Sequence, residues 1–114
     1  MTEHTARQYD QDLEAIRSRM MQMGGLVESQ IRGAMEGFLD GDLARIEQVI
    51  AADARVNELE VGIDDDLGHV IVRRQPAASD LRLILAVSKT VTDLERIGDE
   101  AAKIARMARE IHGA

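Results

Sequence analysis

Cysteine is absent from this 114-residue chain, and Tyr9 and Phe38 are its only aromatic residues. The lack of cysteine excludes a disulfide scaffold and metal sites built from thiolates. Nucleic-acid binding depends on basic surfaces that neutralise phosphates and, for single strands, on aromatic rings that stack on bases. The chain has few aromatics and a formal net charge of −7, so we expect no nucleic-acid binding.

Long apolar runs are also missing. Stretches such as Leu83–Val87 are far shorter than the roughly 20 residues of a membrane-spanning helix. The first residues, Met1–His4, lack the basic and then apolar order of a secretory signal. We therefore expect a cytoplasmic protein without a transmembrane segment, whose acidic surface suits cations or basic partners.

Two short stretches, Asp40–Asp42 and Gln75–Asp80, interrupt a sequence that is otherwise rich in good helix formers. Between them apolar residues recur at steps of three and four, as on one face of a helix. Short connections make consecutive long helices antiparallel. We therefore predict a single all-α domain over residues 1–114, an antiparallel up-down-up three-helix bundle. Its helices are expected at about residues 5–39, 42–74 and 79–112.

The ends of these helices carry residues typical of helix termini. Asp42 and Ser79 are of the type that caps the start of a helix. The residue before Pro76 is biased away from helical conformation, which ends the second helix near Arg74. Gly113 lies where the third helix is expected to stop.

Four glycines lie inside the first predicted helix, where each costs about 1 kcal/mol relative to alanine. Either a neighbouring helix comes close at these positions or the helix has a hinge, and we favour close approach. They are Gly24, Gly25, Gly33 and Gly37.

The third predicted helix has an apolar face wide enough for two neighbours. A row at Leu83, Ile97, Ile104 and Ile111 flanks its main apolar stripe. Because a thin three-helix bundle cannot cover so much apolar surface, we expect a leftover apolar strip that pairs with another surface.

Carboxylate pairs four residues apart occur on the second and third helices. Glu95 and Asp99 share one helix face about one turn apart, and Glu60 and Asp64 repeat the spacing. Because the chain reverses direction at Pro76, Glu95 and Asp99 of the third helix are expected at the level of Asn57 and Asp53 of the second helix. Glu60 and Asp64 are expected one to three turns further along the second helix. The two pairs are therefore expected to line one acidic groove, whose oxygen ligands suit Mg, Ca, Mn or iron.

The same residues also fit an ordinary solvated surface. Asp99 precedes Lys103 by four residues and Arg96 precedes Glu100 by four, the spacing of surface ion pairs. From spacing alone this second interpretation is favoured. The absence of any Glu-x-x-His pair argues against a ferritin-like di-iron centre, and no nucleophile with a partnering base is visible, so we predict no enzyme.

The adjacent arginines Arg73 and Arg74 form a basic spot on an acidic chain. They indicate either a contact for an acidic partner or anion, or cations placed at a helix C-terminus by the macrodipole. The second explanation is favoured, and the first stays open.

Four segments occur in an order, and with gaps, that resemble the PhoU family of bacterial phosphate-signalling regulators. They are Met23–Glu28, Val56–Asp64, Arg73–Arg82 and Leu94–Glu100. The resemblance extends over nearly the whole chain and covers the first of the two three-helix repeats usual in that family. It implies a PhoU-like bundle with long helices of the spectrin type.

The resemblance also implies a function. It implies metal binding through paired carboxylates, here Glu95 with Asp99 and Glu60 with Asp64, with Mg, Mn, Fe or Zn as candidate cations. It implies a negative regulator of the phosphate-starvation response, an adaptor between the Pst transporter ATPase and a PhoR-type histidine kinase. With only one repeat present, a homodimer is expected. The alternative is a metal-independent helical oligomerisation or interaction module.

Overall fold

The computed structural model describes residues 3–113, and the side chains of residues 6–113, as three long helices with two short connections. Helix α1 spans Glu3–Asp40, α2 spans Leu43–Arg74 and α3 spans Ala78–His112. Each helix contacts the other two, and the molecule measures 62 × 19 × 16 Å. The predicted all-α three-helix bundle is confirmed. Within the described residues, no helix has a stretch apolar enough to span a lipid bilayer.

Both ends of α2 follow the sequence prediction. The Asp42 carboxylate accepts a hydrogen bond from the Arg45 backbone N–H at 3.1 Å, which satisfies a free donor in the first turn. The helix ends at Arg74, and Gln75 takes the left-handed conformation with φ 45°. The chain thus turns sharply before Pro76 and returns antiparallel as α3.

The start of α3 differs from the prediction. The residue that precedes the helix is Ala77, whose carbonyl accepts the first helical hydrogen bond from the Leu81 N–H at 2.8 Å. Ala77 is extended (ψ 167°) and has no side-chain acceptor, so no side chain caps this end. The helix begins at Ala78, one residue earlier than predicted, so Ser79 lies inside its first turn.

The core consists of two buried clusters. Large aliphatic side chains form the first, which includes Ile63, Leu67 and Ile84. In the second, alanines of α1 and α3 pack on Ile46 and Val49 of α2.

The glycines of α1 fall into two groups. A Cβ on Gly33 would lie 2.6 Å from Val49 Cγ2, and one on Gly37 would overlap the Ile46 side chain. Close helix approach is therefore confirmed at these two positions. It is wrong for Gly24 and Gly25, where an added Cβ would meet no atom within 4 Å and α1 continues without a break.

Candidate functional site

The four carboxylates predicted as metal ligands lie on α2 (Glu60 and Asp64) and on α3 (Glu95 and Asp99), and the surface that they form is here called the acidic groove. Glu60, Glu95 and Asp99 are partly buried, whereas Asp64 is exposed. Each pair shares a helix face because residues four apart stack one turn above each other.

Glu60 is the residue in this groove whose titration is perturbed. Burial raises the pKa of Glu60 above its ordinary value, and the charges of Glu95 and then Asp64 raise it further. The charges of Glu95 and Asp64 thus both act on Glu60, which puts Glu95 of α3 on the same surface as the α2 pair.

The charge of Glu95 acts on Glu60, which the sequence placed further along α2 than the level of Asn57. Side chains tilt toward the N-terminus of their own helix, and in antiparallel helices the two tilts are opposite. Side chains whose Cα atoms lie about one turn apart therefore meet. A Cβ on Gly98 would likewise lie 3.6 Å from Val56 Cγ1.

Asp99 interacts with a cation of its own helix. The Lys103 Nζ lies 3.5 Å from Asp99 Oδ2 and 3.3 Å from Glu100 Oε1. The hydrogen bond and charge of Glu100, followed by those of Asp99, raise the pKa of Lys103. The ion-pair interpretation is thus confirmed for Asp99, while Glu100 pairs with Lys103 instead of Arg96.

The acidic run Asp64–Asp66 is divided between two environments. Asp64 and Asp65 are exposed, but the Asp66 carboxylate forms an ion pair with Arg19 of α1. Asp53 is partly buried on α2, and within the described part of the chain its Oδ1 has no hydrogen-bond donor. Asp53 is thus a partly buried carboxylate with one oxygen that has no donor among the described residues.

Gln30 is a buried polar residue of α1 that the sequence prediction missed. Its side chain is 1 % exposed and donates from Nε2 to the Val49 carbonyl at 3.2 Å. A Cβ on Gly98 would lie 2.7 Å from Gln30 Oε1, so a side chain at residue 98 would have to displace the Gln30 amide. The available signal was spacing, since Gln30 follows the apolar Met23 and Val27 by seven and three residues.

Glu95 and Asp64 both act on Glu60, while Asp99 is paired with Lys103. Among the described side chains of residues 6–113, no three histidine or acidic residues form a group able to hold a metal ion. A cation between Glu60 and Glu95 would replace their repulsion with attraction to shared positive charge.

One of the two arginines at the end of α2 forms an ion pair with α1. Arg74 Nε lies 3.1 Å from the Asp12 Oδ2 of α1, and the Arg74 side chain is mostly buried. Arg73 is exposed beside it in a cleft between α1 and α2. Arg74 therefore joins two helices as well as lying at a helix C-terminus.

Known proteins similar to this chain share one description. The family model of the PhoU domain matches residues 20–108. The phosphate-specific transport system accessory protein PhoU homolog of Pseudomonas aeruginosa is 47% identical over 111 residues, which are 97% of this chain and 46% of that protein. The accessory protein PhoU of Escherichia coli (strain K12) is 44% identical over 110 residues, with 96% and 46% covered.

A solved structure agrees with these relatives. The crystal structure of PhoU from Pseudomonas aeruginosa matches with a TM-score of 0.89 and 47% identity, covering 92% of this chain and 50% of that one. The chain thus spans about half the length of the relatives it matches. Since the family model covers most of the chain and the relatives match almost all of it, this chain belongs to the PhoU family.

Proposed function

We propose that this chain is a non-enzymatic, cytoplasmic accessory regulator of phosphate transport and a negative regulator of the phosphate-starvation response. The observation that carries the proposal is its identity of 44% to 47% with phosphate-specific transport system accessory proteins. Those proteins are about twice as long, so the chain supplies one half of what they contain.

The proposed mechanism is that of an adaptor between the Pst transporter ATPase and a PhoR-type histidine kinase. A rod of 62 × 19 × 16 Å has a large surface for its size. Its grooves differ in chemistry, since carboxylates line α2 and α3 while apolar side chains line α1 and α3. Different sides of one rigid bundle are suited to different partners.

The regulatory role is tested in a bacterial strain that lacks its own PhoU homologue. Expression of this chain should lower a phosphate-starvation reporter in phosphate-rich medium, and the purified chain should bind the ATPase and the cytoplasmic part of the kinase. Absence of both repression and binding would contradict the proposal. Binding without repression would support the adaptor role and leave regulation to the longer proteins.

Metal binding in the acidic groove is a further part of the proposal. Glu60 and Glu95 would be the first ligands, with Asp64 and Asp99 completing the oxygen shell for Mg, Mn, Fe or Zn. The effect of the Glu95 charge on Glu60 supports this assignment, because carboxylates that repel each other gain most from a shared cation. Calorimetric titration with each of the four metals measures it directly.

A metal-independent interaction module is the second candidate, and the exposed apolar surface favours it. Large apolar side chains of α1 and α3 line two clefts, together with the charged Asp10, Glu14, Arg17 and Glu100, and this surface is here called the apolar face. We propose that this face mediates formation of a homodimer. Its residues are Leu13, Met20, Ile31, Met35, Leu83, Val87, Ile97 and Ile104.

A further inference from the structure

A cleft between α1 and α2, here called the basic cleft, collects positive charge on an otherwise acidic chain. Its volume is about 300 Å³, several times the roughly 30 Å³ that one water molecule occupies. Two carboxylates, Asp12 and Asp66, lie in it with three arginines, so the cleft carries one net positive charge even with its histidine neutral. The whole chain has a formal charge of −7. The basic residues of the cleft are Arg19, His69, Arg73 and Arg74.

An ion pair between α1 and α2 lies at each end of the basic cleft. Arg74 Nε lies 3.1 Å from Asp12 Oδ2, and Arg19 of α1 pairs with Asp66 of α2. Asp12 and Arg19 are seven residues apart, which is roughly 10 Å along α1. Each guanidinium has five N–H donors, and these pairs use Nε of Arg74 and Nη1 of Arg19. Both arginines are therefore held in place and keep donors for a ligand.

The space between the two ion pairs contains Arg73 and His69. They are four residues apart on α2, so they share a helix face, and both are exposed. The ion pairs formed by the side chains of residues 6–113 do not include Arg73. Ala15 of α1 lines the same space and is small, and the buried Ile16 and Val70 line it as well. The cleft thus has an apolar interior, room at its centre and a cation without a carboxylate partner.

The helix macrodipole accounts for only part of this arrangement. It favours cations in the last turn of a helix, which applies to Arg73 and Arg74. His69 lies before that turn, and Arg19 lies in the interior of another helix. Basic side chains of two helices therefore converge on one cleft for a reason other than the end of α2.

We propose that the basic cleft binds a small oxyanion of the phosphate type, with Arg73 as its principal contact. A guanidinium presents paired N–H donors that match two oxygens of such an anion. His69 adds at least one ring N–H donor in either charge state. Arg19 and Arg74 add positive charge while they stay paired with their carboxylates. The site is separate from the acidic groove, which lies on α2 and α3.

Free phosphate and a phosphoryl group on a larger molecule offer the same chemistry, and two probes distinguish them. The ¹⁵N-labelled chain is titrated with inorganic phosphate and with O-phosphoserine, and amide shifts are followed by NMR. Sodium chloride keeps the ionic strength constant, because salt screens exposed charges. We expect saturable shifts around Ala15, His69 and Arg73, with a dissociation constant in the millimolar range, since contacts with exposed charges are weak. Tighter binding of phosphate identifies a free anion, and tighter binding of phosphoserine identifies a phosphoryl group; both support the site.

Three variants test which side chains bind the anion. Arg73→Gln should raise the dissociation constant at least fivefold, because it removes the principal contact. Arg96→Gln is the matched control and should leave it unchanged, since Arg96 is also exposed, lies on α3 and forms no ion pair with a described side chain. Ala15→Glu should abolish binding, because it places a carboxylate inside the cleft. Alanine and glutamate are both good helix formers, so α1 should remain helical in circular dichroism.

Two results would overturn the proposal. One is the absence of saturable shifts in the cleft with either probe at high millimolar concentration. The other is an equal loss of binding in Arg73→Gln and Arg96→Gln, which would mean general attraction of anions to positive charge. Neither result bears on the regulatory role, which the reporter strain tests separately.

Discussion

The two sides of α3 have opposite chemistry although they belong to one helix. The side next to α2 carries Glu95 and Asp99, and the side next to α1 carries Ile97 and Ile104. On the first side carboxylates repel each other, and on the second side apolar side chains remain open to solvent. The acidic surface has carboxylates close to one another without a cation between them. The apolar surface has large side chains that no other apolar group contacts in the isolated bundle.

Gly98 lies between these two sides, buried in the core, and its replacement should have the largest effect. Gly98→Val would drive a branched side chain against the buried Gln30 Oε1, since a Cβ alone would lie 2.7 Å away. Overpacking of this kind should lower the free energy of unfolding by about 3 kcal/mol, as measured by urea denaturation.

The Gln30→Ala background provides the control for this first change. It removes the atom that a side chain at residue 98 would meet, so part of the loss caused by Gly98→Val should disappear there. If the two effects simply add, Gln30 is not what excludes larger residues at Gly98.

A charge placed on the apolar side of α3 should weaken dimerisation and leave metal binding in the acidic groove unchanged. Ile97→Glu should raise the dimer dissociation constant by about 30-fold, or about 2 kcal/mol, because the carboxylate would be buried without a partner. Val72→Glu is the matched control, since Val72 is 75% exposed on α2 and outside the apolar face. Sedimentation equilibrium should show wild-type association for that control; a similar loss in both variants would mean a general charge effect.

Neutralising the acidic side should weaken metal binding and spare the dimer. Glu60→Gln combined with Glu95→Gln should lower the affinity for the best-binding cation by about tenfold, or about 1.4 kcal/mol, in calorimetric titration. Asp65→Asn is the control, because Asp65 is an exposed carboxylate of the same helix. Asp99→Asn should have a smaller effect because Lys103 already interacts with Asp99. Identical isotherms for all these proteins would show that the groove is not the binding site.

The smallest effect concerns stability and pH. Since burial and neighbouring carboxylates raise the pKa of Glu60, the folded chain binds more protons than the unfolded chain, and stability falls as pH rises through that pKa. Glu60→Gln removes the repulsive charge, so it should stabilise the metal-free protein by about 0.3 kcal/mol at pH 7. Thermal unfolding in chelator should show that gain disappear below the ordinary pKa of glutamate; an unchanged gain there would exclude a charge effect.

The fold follows from the sequence because its signals are local and agree with one another. The apolar spacing identified all three helices, and Asp42 and Pro76 marked the two connections. The start of α3 was less predictable, because Ala77 forms it through backbone geometry without a side-chain signal. The family resemblance rested on several motifs in series, and the matches of the relatives confirm it.

The acidic groove was predictable only in outline. Spacing predicted that Glu60, Asp64, Glu95 and Asp99 form one surface, and the charge effect of Glu95 and Asp64 on Glu60 agrees with part of it. Gln30 was missed because a search for apolar stripes passes over a polar residue in a core position. The different surroundings of Gly24 and Gly33 depend on where neighbouring helices lie, which local sequence does not specify.

The most direct test of the two-sided account is the dimer dissociation constant of three proteins in the same buffer. They are the wild-type chain, Ile97→Glu, and Glu60→Gln combined with Glu95→Gln. Sedimentation equilibrium should show weaker association for Ile97→Glu alone, with the double variant equal to wild type. Equal weakening of both variants, or a wild-type chain that stays monomeric at high micromolar concentration, would contradict the assignment of separate roles to the two sides of α3.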